Sequence, residues 1–83
     1  MDDILQRVDR VEKQIATVKN KVAYRDLRKM LLPIDYTITA MSMEEVECRQ
    51  RKKITPKYRE LETKANDLLT NLEQMVTFAA LIS

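Results

Sequence analysis

The chain contains no histidine, no glycine and no tryptophan, and only one cysteine, one phenylalanine and two prolines in 83 residues. Each absence excludes something. Without histidine the commonest general base and metal ligand is missing, and without glycine neither a phosphate-cradling loop nor a nucleophile elbow can be built. Sheets and tight turns also lean on glycine for positive backbone angles, whereas an all-helical chain does without it. The lone Cys48 forms no internal disulfide, so nothing points to an oxidising compartment. A free thiol in a helix is ordinarily packing or surface and not a nucleophile. Met1-Asp2-Asp3 is acidic where a secretory leader is basic, and the longest apolar run, Phe78 to Ile82, is far short of the roughly twenty residues that span a bilayer. The expectation is a soluble, intracellular, cytoplasmic protein that is not transmembrane.

What the chain has in abundance is charge. Charged residues make up 34% of it, yet the formal net charge is only +2, the composition of solvated helices and not of a general polyanion binder. The length is enough for a single helical domain over residues 1–83. So short a chain buries a modest part of its surface, which makes a partner or a second copy an expected source of stability.

Three apolar patterns organise the chain, separated by its two prolines. Ile4, Val8, Val11, Ile15, Val18 and Val22 follow one another at spacings of four and three in strict alternation, a heptad seam. Asp2 and Asp3 suit the positive end of that helix's dipole. The seam restarts about one position later with Leu27, Met30 and Leu31, and Pro33 predicts the end or a kink of a helix over about 2–32. Ile34, Ile38, Met41 and Cys48 predict a second helix over about 34–53, although Tyr36 to Thr39 would also suit a strand and Ser42 with Glu45 forms a capping box. A strand there would have no partner strand to satisfy its backbone, so one helix is the preferred reading. Thr55-Pro56 then supplies an N-cap and a proline at the first helical position. Tyr58, Leu61, Ala65, Leu68, Leu72, Met75, Ala79 and Ile82 carry a third helix over about 56–82. Leu69, Val76, Phe78 and Ala80 widen its apolar face toward the C-terminus.

The fold class expected is all-α: an antiparallel three-helix bundle, or a long helix facing a helical hairpin, with coiled-coil-like heptad seams. Beta-branched residues at every seam position from Ile4 to Val22 favour three or more helices in contact over a parallel pair. Those positions serve either as intramolecular core or as partner surface. The residues assigned to a partner or oligomer interface are Ile4, Val8, Val11, Ile15, Val18, Val22, Leu68, Leu72, Met75, Val76, Phe78, Ala79 and Ile82.

One further feature stands out, the stretch CRQRKKITPKYR at residues 48 to 59, with six basic side chains and no acid. Bases at the end of one helix are favoured by its dipole alone, so a solvated turn accounts for them. The alternative is contact with an anionic partner through Arg49, Arg51, Lys52, Lys53, Lys57 and Arg59. A nucleic-acid site would add bases from elsewhere or aromatic stacking partners, and only Tyr58 is near.

No catalytic, cofactor-binding or metal-ligating residue is assigned. Glu44, Glu45 and Glu47 lack the glycine turn that a calcium loop needs. Small all-helical chorismate mutases have about this size and helix order, but their full set of charged substrate-binding positions finds no match here, and Arg7, Arg10 and Lys13 fall on the solvated side of the seam. The chain is assigned to no family. The functional expectation is a non-enzymatic helical protein–protein interaction subunit, a scaffold, adaptor or assembly factor, with no cofactor and no small-molecule substrate. Its partner would be itself or another helical chain; the alternative is a basic helical module binding nucleic acid or anionic membrane through residues 49–59.

Overall fold

The first helix needs little more than its own sequence. In the computed structural model, which describes residues 2–82 and only the backbone of Ile82, α1 (Asp2–Ala16) opens on two acids and buries Ile4, Val8, Val11 and Ile15 on one stripe. It stops well before Pro33. Ile15, Thr17 and Val18 are beta-branched and disfavour helix locally. The last turn tightens through Thr17 N–H to the Gln14 carbonyl (3.1 Å) and Val18 N–H to the Ile15 carbonyl (3.0 Å). Asn20, in extended backbone, then caps a new helix, its Oδ1 accepting from the amides of Val22 (3.0 Å) and Ala23 (3.1 Å).

That new helix, α2 (Lys21–Arg51), runs straight through Pro33. The boundary expected near residue 32 is therefore displaced to residues 17–20, and the second helix begins thirteen residues earlier than expected, at Lys21 instead of 34. Pro33 removes one amide and leaves the Lys29 carbonyl without its partner one turn on, a cost of about 3 kcal/mol in a helix interior. Pro33 is exposed, so water reaches that carbonyl. On the opposite face Leu27, Leu31, Ile34 and Met41 are all buried, and keeping them in one continuous stripe outweighs the proline. Residues 34–41, which would also have suited a strand, are helical.

α2 ends on a Schellman turn. Lys53 N–H donates to the Cys48 carbonyl (3.1 Å) and Lys52 N–H to the Arg49 carbonyl (3.3 Å), with Lys52 itself in the left-handed region at φ 55°. α3 (Pro56–Ile82) follows, capped as expected by Thr55, whose Oγ1 accepts from the Tyr58 amide at 3.2 Å.

The three helices make a rod of 48 × 16 × 15 Å. α2 and α3 form an antiparallel hairpin, and α1 packs against both, running parallel to α3. Arg7 meets Asn66, Thr70 and Glu73, while Gln14 and Thr17 lie beside Val76 to Leu81. At about 1.5 Å per residue α1 is roughly half as long as α2, so it covers only one half of the hairpin. The core cluster joins Ile4, Val8, Val11, Ile15 and Val18 to Leu27, Leu31, Ile34 and Met41 of α2 and to Ala65, Leu69, Leu72, Val76 and Ala79 of α3.

Two register expectations are corrected. Val22, read as the last position of the first seam, is 59% exposed, because the break at 17–20 starts α2 in a new phase. On α3 the buried line is Ala65, Leu69, Leu72, Val76, Ala79; Leu68 is half-buried and Met75 is exposed. Two of the expected seam positions are thus each one residue early. Both alternatives alternate threes and fours, and only the packing of α3 against α2 and α1 together chooses between them.

Candidate protein-interaction site

The positions assigned to a partner divide sharply. Ile4, Val8, Val11, Ile15, Val18, Leu72, Val76 and Ala79 are buried within the chain itself and present no surface to another molecule. Their heptad spacing is the spacing of an intramolecular three-helix core. Val22, Met75 and Phe78 are exposed, Leu68 is partly covered, and the side chain of Ile82 lies outside the described residues.

Leu5, Val22, Tyr24 and Ile54 are exposed singly, and the other exposed large apolar residues fall on two faces. On α3, Met75, Phe78 (61% exposed) and Leu81 (79%) recur at every third position on a stretch that carries no charge after Glu73. Two open cavities flank it. One of about 430 Å³ is lined by Thr70, Glu73, Gln74, Thr77, Phe78 and Leu81. The other, of about 310 Å³, lies between α1 and α3, with Gln14 and Thr17 on one wall and Val76, Ala80 and Leu81 on the other. Thr77 and Leu81 border both cavities and form the ridge between them.

On α2, Leu32, Tyr36 (77%), Met43 (70%) and Val46 are exposed in a second line that the sequence reading missed. Its signal was present. Leu32, Tyr36, Thr39, Met43, Val46 and Gln50 alternate spacings of four and three, and at about 100° per residue the four large side chains fall within roughly 80° of arc. The line sits opposite Ile34 and Met41, so the helix carries apolar side chains on both its inner and its outer face.

The basic turn is exposed throughout at Arg49, Arg51, Lys52, Lys53, Lys57 and Arg59. Two of these cations are engaged within their own helix. Arg49 pairs with Glu45 at 2.9 Å and Arg51 with Glu47 at 3.3 Å. Beneath them Thr55 ties the turn together: its hydroxyl donates to Glu44 Oε1 (2.7 Å), and its amide donates to the Cys48 sulfur (3.5 Å). Glu44, Glu45 and Glu47 therefore each hold a separate partner, and among the described residues no group of three or more acidic or thiol side chains is gathered as a metal site. Tyr58 lies beside this knot. Burial first, and then the charges of Glu45, Glu62 and Cys48, push its phenol above the ordinary tyrosine pKa.

Arg7 is the polar centre of the helical contact. Its guanidinium donates to both Glu73 oxygens (Nη2 at 2.7 Å, Nε at 3.3 Å), to Asn66 Oδ1 (2.7 Å) and to Thr70 Oγ1 (3.2 Å). The bond to Glu73 holds its pKa above the usual arginine value, against the opposing effect of burial. Read from sequence as part of the solvated side of α1, Arg7 instead clamps α1 to α3. Among the described residues no buried side-chain nitrogen or oxygen lacks a partner, so no orphaned polar group marks a small-molecule site.

No helix among the described residues is long and apolar enough to cross a membrane. Comparison with protein-family models, with curated proteins and with solved structures gave no match for this chain.

Proposed function

We propose that the chain is a non-enzymatic helical protein-interaction subunit whose partner surface is the outer face of α3 at Met75, Phe78 and Leu81. The supporting observation is the coincidence there of three exposed large apolar residues, an uncharged stretch of helix and two flanking cavities. Apolar residues scattered singly over a surface need no explanation, whereas a contiguous line beside concave walls resembles the anchors and pockets of helix-in-groove recognition. The partner is then a helical segment that places apolar side chains on either side of the Thr77–Leu81 ridge. Because the surface carries so little charge, its association is insensitive to salt.

The test is site-specific photocross-linking in the native source. A photoreactive phenylalanine analogue in place of Phe78 should trap one defined partner, and the same analogue in place of the exposed Arg10 should not. Equal trapping from both positions, or none from position 78, would sink the reading.

A second reading draws on the exposure of Lys52, Lys53, Lys57 and Arg59: binding of nucleic acid or anionic membrane at the helical turn. It predicts the opposite salt response, with affinity falling steeply as counterions compete. Retention of the chain on a polyanion column well above physiological salt would favour it over the apolar surface.

A further inference from the structure

The outer face of α2 is separate from the α3 surface, and its occupant is written in its own residues. We infer that this face pairs with the same face of a second copy, the two α2 helices running antiparallel to make a two-fold dimer.

Three observations carry this. The first is spacing. Leu32, Tyr36, Thr39, Met43, Val46 and Gln50 form a heptad line, with Tyr36, Met43 and Gln50 in the a positions and Leu32, Thr39 and Val46 in the d positions. Such a line is matched by another helix and not by a flat surface, and neither α1 nor α3 covers it.

The second is size. In antiparallel pairing each a position faces a d position. Tyr36 then faces Val46 of the second copy, Met43 faces Thr39, and Leu32 faces Gln50, with every layer repeated by the two-fold axis. A large side chain meets a smaller one in the two inner layers, which is how facing helices interdigitate without voids. Parallel pairing would instead stack Tyr36 on Tyr36 and Thr39 on Thr39. Ala40 and Ser42, beside the axis, are small and let the backbones approach.

The third is charge. In that register Asp35 lies across the seam from Arg49 of the second copy, and the symmetry makes this contact twice. Asp35 is exposed, and Arg49 extends from the other end of the line, where its present partner is Glu45 at 2.9 Å. Parallel pairing leaves Asp35 and Arg49 at opposite ends of the contact and removes this attraction. Beyond the seam the basic ends face one another, Arg28 and Lys29 near Lys52 and Lys53 of the second copy. Salt screens that repulsion together with the Asp35–Arg49 attraction and leaves the apolar layers to hold the dimer at high salt, unlike a complex with a polyanion.

Sedimentation of the full chain over a dilution series decides the matter. Wild type should show a monomer–dimer equilibrium, and Met43→Arg should be monomeric with unchanged helix content. Asp35→Arg and Arg49→Asp should each weaken the dimer by about tenfold, and the double charge swap Asp35→Arg with Arg49→Asp should restore it. A single-chain mass at every concentration up to about 1 mM overturns the inference. A dimer lost in Phe78→Arg but kept in Met43→Arg overturns it by placing self-association on α3. Loss in Met43→Arg without rescue by the double swap overturns the antiparallel arrangement. Only that α3 outcome touches the Phe78 surface, by making a second copy its partner; failure of the α2 dimer by any other route leaves trapping from Phe78 as it was, so the two readings can be told apart.

Discussion

Arg7 of α1 and Glu73 of α3 meet through two hydrogen bonds, 2.7 and 3.3 Å, across sixty-six residues of sequence. With Asn66 and Thr70 completing the guanidinium's partners, this is the principal polar attachment of the short first helix to the hairpin. Arg7→Ala should destabilise the fold by about 1–2 kcal/mol, after allowance for solvent screening of a partly exposed pair. Amide hydrogen exchange should show the loss concentrated in α1, with protection in the middle of α2 little changed. Uniform loss along all three helices would mean that α1 and the hairpin unfold as one unit. Because a raised arginine pKa supplies stability below the unfolded pKa and loses it only as pH rises through the folded one, the arginine's contribution should be flat from neutral pH into the alkaline range.

Lys52 is the one described residue with positive φ, and a side chain there crowds the backbone. Lys52→Gly should raise stability by about 0.5–1 kcal/mol, the relief of that crowding less the added freedom of the unfolded chain. Lys52→Val, beta-branched at the same angle, should lower it. Chemical denaturation of the two variants reads both signs, and a destabilising glycine would show that the turn is not held in the left-handed region.

Tyr58 should titrate above the ordinary tyrosine value. The folded phenol holds its proton to higher pH than the unfolded one, so the stability it contributes is complete below about pH 10 and falls as pH rises through the folded value. In a Tyr24→Phe, Tyr36→Phe background, ultraviolet tyrosinate absorbance isolates Tyr58. A midpoint at or below that of the unfolded chain would contradict its placement beside Glu45 and Glu62.

Leu69 and Leu68 are neighbours with different surroundings, the first fully buried and the second half-covered. Leu69→Ala should cost about 2–5 kcal/mol and Leu68→Ala clearly less. Equal urea midpoints would restore the register in which Leu68 and Met75 face the core.

The sequence by itself determined the helical class. The absence of glycine argued against sheets and their hairpin turns, and the Ile4 to Ile15 seam and the Thr55-Pro56 cap are local signals that needed no tertiary help. The tertiary structure decided which competing local signals prevailed. Asn20 broke the chain where nothing stronger than an N-cap of about 1 kcal/mol marked it. Pro33 was overruled because burial of Leu31, Ile34 and Met41 is worth several times more than any single propensity. The choice of Leu69 over Leu68, and of Val76 over Met75, lay in how α3 is seated between α2 and α1, which no local pattern contains. The outer line of α2 was legible by its spacing, but that it faces solvent and not the core depended on which side α3 came to occupy, since a helix with two apolar faces does not say which one it buries.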